Sequence, residues 1–233
     1  MTEIGESILN FAPTAGYDGI APVYRAMEIA AFGTALRRLR ECHIDRFTES
    51  RNALVLGDGD GRFVEVFAMH NPECRITSID SSPAMVRLAR HRVRRSTRLQ
   101  GSDAGGRIRW IVADATRMEF SADTYDLVVT QFFLDNFTQS TVDALIPAVA
   151  TSVTVGGHWL YSDFATPNPA RPWVWRNRIW LYTLYRFFRV CCGIEANMLA
   201  NAKGAIHAAG MRPISEIRML HGLLESAAFR KVS

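Results

Sequence analysis

Five short apolar runs lie between residues 52 and 164, most of them separated by segments with helical spacing. NALVLG (52–57), RITSID (75–80), RIRWIVAD (107–114), YDLVVTQFF (125–133) and GGHWLYSDF (156–164) are too short for helices. Their nearly continuous hydrophobicity suits strands covered on both faces. GRFVEVFAMH (61–70), SPAMVRLARHRVRRS (82–96) and residues 138–153 read as helices, the second with Ser82 as N-cap and Pro83 at its first position. Strands that alternate with helices bury their faces by stacking a parallel sheet between two helical layers. The expected fold is therefore α/β, a Rossmann-like doubly wound sheet with ligands at the carboxyl ends of its strands. Two further strands are expected within 212–230, an antiparallel pair because only His221-Gly222 separates them, bringing the sheet to seven.

Outside this alternation, residues 20–42 show apolar positions at helical spacing with a basic C-terminal half, which suits a helix end, and residues 197–209 also look helical. A chain of 233 residues that is 48% hydrophobic suits one domain over 1–233, with an N-terminal helical lid (1–45) and an aromatic and basic cap insert (165–196). The opening MTEIGESILN lacks a basic region followed by an apolar run, and the most apolar stretch, 181–194, is interrupted by Arg186 and Arg189. The four cysteines, Cys42, Cys74, Cys191 and Cys192, form no CxxC and no cluster with metal-ligand spacing. Reduced thiols, a cytoplasmic location and the absence of a metal are the expectations.

The loop after the first strand, Gly57-Asp58-Gly59-Asp60-Gly61, holds three glycines in five residues, so the backbone can turn tightly and approach a ligand. A dinucleotide loop needs G-x-G-x-x-G, but Arg62 or Val64 occupies the last position; the lysine of a phosphate loop is also missing. Two carboxylates would repel a pyrophosphate. They suit S-adenosylmethionine, which carries a sulfonium, an ammonium and one carboxylate. A tight turn without a ligand is the alternative. Asp80 ends the second strand, where the dinucleotide fold places an acid on ribose hydroxyls, and Asp114 ends the third, where it could accept from an adenine amino group.

With these motifs in order, the chain resembles the class I S-adenosylmethionine-dependent methyltransferases over roughly residues 50–165. LVLGDGDG is similar to the family's first motif, TSIDSSPAM to the second, IVADAT to the third and YDLVVTQFFLDNF to the fourth. The resemblance implies S-adenosylmethionine as cofactor and S-adenosylhomocysteine as product. Gly57 and Gly59 would flank the methionine moiety and Asp80 would hold the ribose. Ser81 and Met85 would pack near adenine, Asp114 and Ala115 would read its edge, and Gln131 would line the floor. The family usually has an acid two residues before the first glycine, where this chain has Val55. Asp58 or Asp60 is expected to supply that charge beside the ammonium group.

Within the superfamily, the chain is similar to the ubiquinone/menaquinone biosynthesis C-methyltransferases. YDGIAPVYRAMEIAAFG (17–33) resembles the segment in which a tyrosine helps close the cofactor site, and Tyr24 would be that residue. FFLDNFT (132–138) resembles the stretch after their fourth strand, but Asp135 stands where those enzymes have a basic residue.

The expected reaction is methyl transfer to carbon or oxygen of a small apolar acceptor, quinone-, phenol- or lipid-like. Residues 171–189 place five arginines among seven aromatics, which suits an apolar pocket and peripheral contact with an anionic inner membrane face; a helical cap packed on the core is the alternative. Residues 87–98 hold six arginines, most simply a solvated helix face. Nucleic acid is the weaker expectation, because the fourth motif lacks the Asn/Asp-Pro-Pro-aromatic sequence of many methylases of base or amide nitrogens. An RNA methyltransferase and a non-catalytic binding module remain as alternatives. Asp135, Asn136 and His221 are the candidates for accepting or steering a proton, His221 because its unperturbed pKa lies near neutrality. Capping roles for the acid and an ordinary turn role for the histidine are the competing readings.

Overall fold

A computed structural model describes residues 32–96, 104–165, 175, 179, 182–183 and 199–232. Tyr24, most of the N-terminal lid, nearly all of the cap insert, Cys191 and Cys192 lie outside the described residues. The elements are α1 (Ala35–Glu41), β1 (Asn52–Leu56), α2 (Arg62–His70), β2 (Arg75–Asp80), α3 (Pro83–Arg95), a short α4 (Ala104–Arg107) and β3 (Ile108–Val112). They continue with β4 (Tyr125–Gln131), α5 (Gln139–Ser152), β5 (Val153–Phe164), α6 (Ala202–Ala208), β6 (Met211–Met219) and β7 (Leu224–Lys231).

The seven strands form one sheet in the order β3-β2-β1-β4-β5-β7-β6. The pairings β3-β2-β1-β4-β5 are all parallel, while β7 is antiparallel to both β5 and β6. Order reverses between β1 and β4, the switch point at which an open α/β sheet leaves a crevice for a ligand.

Alternation along the strands sends side chains to two cores. On one face Leu54, Leu56, Val128 and Trp159 pack with Val142, Ile146 and Val149 of α5 and Ile206 of α6. On the other, Ala53, Val55, Val129 and Leu160 meet Phe63, Val64 and Phe67 of α2 and Val93 of α3. Each fully buried side chain of this size contributes about 1.5–3 kcal/mol. Trp159 also satisfies its indole N–H by donating to the Thr130 hydroxyl at 2.9 Å. A third cluster joins Leu36 and Leu39 of α1 to Phe164, Leu223 and Leu224, fixing α1 at the carboxyl end of β5.

Helix starts follow their caps. The Ser82 hydroxyl accepts from the Met85 amide with Pro83 in the first turn, and Thr138 caps α5 through the Thr141 amide. Arg107 reaches back to the carbonyls of Ala68, Asn71 and Cys74, satisfying acceptors at and just beyond the end of α2.

Three local expectations change. Of the helical stretch expected over 20–42, residues 20–31 lie outside the described residues; within the rest Gly33 takes φ 57° and α1 begins at Ala35. Strand β5 begins three residues earlier than its apolar run, because Val153 pairs with Tyr125. The turn between β6 and β7 is longer than two residues: residues 220–223 connect the strands, and Leu220 and His221 both take positive φ (49° and 56°).

Candidate active site

The glycine loop crosses the switch point. Gly57 takes φ 70° and donates its amide to Ile79 at 2.8 Å, turning the chain off β1 toward β2. A side chain at Gly57 would collide with Phe133, whose Cδ2 lies 2.3 Å from where a Cβ would stand. The Phe133 ring, from the segment after β4, is therefore seated directly on the loop. Gly61, φ 82°, lets α2 approach α3: a Cβ there would stand 2.6 Å from that of Ala89.

The acids divide into three roles. Asp80 binds the loop: one carboxyl oxygen accepts from the Gly59 amide at 3.0 Å, the other from Ser82 at 2.9 Å. Asp58 caps α2, accepting from the amides of Phe63 (3.1 Å) and Val64 (3.0 Å). Asp58 keeps some surface exposure as a residue, yet its oxygens turn inward onto those amides. Burial, with a smaller push from Asp60, outweighs the two hydrogen bonds and raises its carboxyl to about 7. Asp60 is buried and ion-paired with Arg62 at 3.1 Å and Arg92 at 2.7 Å. Its charge is neutralised within the protein, so the expectation that either loop acid could face an ammonium group narrows to Asp58. Val55, in the position the family gives to an acid, is 2% exposed in the core beneath α2.

Several residues singled out from the sequence converge. Met85 closes the side of the loop, its Sδ 4.0 Å from where a Cβ on Gly59 would stand, and Ser81 is exposed beside Asp80. The Ala113 amide donates to the Asp80 carbonyl at 3.1 Å, which brings Asp114 and Ala115 alongside. Asp114 accepts from the Thr116 amide and hydroxyl and lies 3.4 Å from Arg117, so its carboxylate also organises its own turn. Gln131 closes β4 on the opposite face of the sheet from Thr130. Its amide nitrogen donates to the Arg40 carbonyl at 3.1 Å, while its buried Oε1 has no partner.

The segment after β4 is strained and aromatic. Phe132 takes φ 53°, a region that side chains other than glycine enter at a cost of about 1–3 kcal/mol. The Arg40 guanidinium lies 5.0 Å from its ring centre, and Phe164, itself 5.5 Å from Phe32, packs against it at 5.6 Å. Phe133 meets Phe137 edge-on at 5.0 Å. Asn136 closes this turn, its side-chain nitrogen donating to the carbonyls of Phe132 and Phe133 and to Asp135. Burial raises the Asp135 carboxyl to about 7 against the lowering effect of a hydrogen bond to the Asp163 side chain. Asp163, 1% exposed at the end of β5, was not among the residues singled out from the sequence. The rule that drew attention to Asp80 and Asp114, an acid closing an apolar strand, applies to it equally. His221 is exposed in the β6–β7 turn, at the edge of the sheet where β5 ends.

The residues present fit the cofactor: a glycine cradle open above Gly59, with Asp80 and Met85 fixed against it. A family model described as a methyltransferase domain matches residues 53–157. N-methyltransferase NodS from Bradyrhizobium japonicum WM9, solved with S-adenosylhomocysteine, is 19% identical with a TM-score of 0.60, over 85% of this chain and 89% of that one. An O-methyltransferase family protein from Burkholderia thailandensis is 16% identical (TM-score 0.63; 95% and 60% covered), and the methyltransferase SibL is 18% identical (TM-score 0.66; 90% and 58% covered). No curated protein matches the chain. The domain match is to methyltransferases, and the Rossmann-like sheet is the fold of these solved structures. The chain therefore carries a methyltransferase domain over residues 53–157, with S-adenosylmethionine as its cofactor. Among the described residues, no group of three or more His, Cys, Asp or Glu is placed to hold a metal, and no helix is long and apolar enough to cross a membrane.

Proposed function

We propose that the enzyme transfers the methyl group to carbon or oxygen of a small, apolar, ring-bearing acceptor of phenol or quinol type. The observation that carries this reading is the apolar surface of two ring pairs at the end of β4, Phe132 with Phe164 and Phe133 with Phe137, the second beside the glycine loop with Phe133 seated on Gly57. An apolar wall orients a flat acceptor and excludes water, and alignment is the main aid a displacement at a sulfonium requires. When bound, the cofactor supplies the electrophilic methyl group. Gly57 and Gly59 would cradle its amino-acid end, Asp58 would face its ammonium group, and Asp80 would accept from the ribose. Ser81, Met85, Asp114 and Ala115 would surround the base, with Gln131 below and Tyr24 closing the site. Asp135 would take the acceptor's proton, Asn136 holds the turn that positions it, and His221 lies at the same edge.

Calorimetry with S-adenosylmethionine and S-adenosylhomocysteine tests the cofactor assignment; a catalyst binds both. Methyl-labelled cofactor incubated with whole-cell lipid and RNA fractions tests the acceptor class. Label in the lipid fraction, which carries quinols and phenolic lipids, supports the reading. Label confined to RNA would assign the substrate instead to the exposed arginine face of α3 (Arg87, Arg90, Arg94 and Arg95).

A further inference from the structure

Asp163 meets Asp135 twice. Its Oδ2 accepts from the Asp135 amide at 3.1 Å, and the two side chains hydrogen-bond each other. Its Oδ1 accepts from Phe164 at 2.9 Å, so the carboxyl is held at both ends. A hydrogen bond between two carboxyl groups requires a proton on one of them, since a carboxylate can only accept. Two anions at this range in a buried site would repel strongly.

A third acid stands beside Asp163. Glu225 on β7 is the cross-strand partner of Asp163 and is 6% exposed. Lys203 of α6 (2.9 Å) and Arg218 of β6 (3.3 Å) both reach it, and the same cations lie 3.1 Å and 2.8 Å from Glu216. Glu225 is therefore a compensated anion, and its charge adds to that of Asp135 against ionising Asp163. Burial first, then Asp135 and to a smaller extent Glu225, push Asp163 well above the usual carboxylate range, against the lowering effect of the two amides it accepts from.

We propose that Asp163 is a positioning residue: it keeps the proton of a two-carboxyl pair and donates it to Asp135, leaving Asp135 as the anionic, proton-accepting member at the acceptor end of the crevice. The catalytic half of this statement rests on the methyl-transfer reading above. In the step it serves, the acceptor's O–H bond breaks as its O–CH3 bond forms. The proton passes to the Asp135 carboxylate, and the electrons of the S–CH3 bond remain on sulfur. The pair then holds two protons, and one returns to solvent after product leaves.

The test needs no acceptor for its first part. The full chain labelled with carbon-13 at aspartate carboxyls is titrated by NMR from pH 4 to 9, free and with S-adenosylhomocysteine. The expected result is that Asp135 ionises near neutrality while Asp163 is the second of the two to lose its proton, well above the usual carboxylate range. Asp163→Ala, which removes the donor, should move the Asp135 titration up by at least one pH unit. Asp163→Asn keeps a donor and should leave it near the wild-type value. Ordinary titration of both carboxyls near pH 4 in the wild-type protein would overturn the proposal, and so would an Asp135 titration indifferent to Asp163→Ala. If the alanine variant does not fold, the wild-type and asparagine titrations still decide. The second part is the pH–rate profile of labelled methyl transfer, whose rising limb should follow the Asp135 titration and shift with it; a limb that stays in place would remove the catalytic role. A pair that titrates as expected in a protein that methylates neither fraction would sink the methyl-transfer reading and leave the carboxyl pair standing.

Discussion

Asp58 makes the sharpest quantitative prediction. Its carboxyl sits at about 7 in the unliganded protein because burial outweighs two amide hydrogen bonds. At pH 7 about half of the molecules therefore carry a neutral group at this position in the loop. An ammonium group placed beside it favours the anion, so binding draws off the proton and affinity falls as pH falls through 7. If the bound pKa returns to the ordinary carboxylate range, the factor 1 + 10^(7 − pH) gives about tenfold weaker binding at pH 6 than at pH 8, about 1.4 kcal/mol. The cofactor's own α-amino group titrates nearby, at about 7.7–8.0. Comparing wild type with Asp58→Asn at each pH cancels that contribution. Calorimetry at pH 6, 7 and 8 should show the wild-type advantage over Asp58→Asn shrinking by about tenfold from pH 8 to pH 6. The sign for folding is the opposite. Because the folded carboxyl lies above its ordinary 3.8, the unliganded protein loses stability as pH rises from about 4 to about 7, and ligand restores it. A ratio independent of pH would refute this reasoning. So would an Asp58→Asn protein that binds like wild type while Asp80→Asn does not.

Three further outcomes follow from the loop. Gly57→Ala forces a Cβ into the Phe133 ring and strains φ, so cofactor affinity should fall at least tenfold; adding Phe133→Ala should restore the steric part but not the rest, measured by calorimetry. Gly61→Ala sets a methyl group against Ala89 of the neighbouring helix, backbone included, and should cost about 1–3 kcal/mol by urea unfolding. Asp80→Asn retains an oxygen for only one of its two amide partners and loses the charge on the ribose side. Cofactor binding should drop by two orders of magnitude or more, while the unfolding free energy falls by only about 1–3 kcal/mol.

What the sequence discloses is local. Apolar runs, caps such as Ser82 with Pro83, and the turn at Gly222 announce the strands, helices and final hairpin, because each depends on residues within one turn or one pleat. The meaning of a charge depends on partners far along the chain. Asp60 is only two residues from Asp58 in sequence, yet Arg92 neutralises it from another helix while Asp58 turns onto amides of its own. Asp135 suggests a lone base until β5 brings Asp163 to it. Likewise no propensity at Phe132 announces a positive φ; the packing of Phe164 and Arg40 around its ring holds the backbone there.

The placement of β7 bears on how the sheet is assembled. Strand β6 touches the sheet only through β7, which wedges between it and β5. While the chain is being made, β6 therefore emerges with nothing to join and must wait for the next strand. The two should zip together as a hairpin and dock onto β5 as a unit. A slow turn at Leu220-His221 would then delay the last third of the sheet while leaving the nucleoside half already formed.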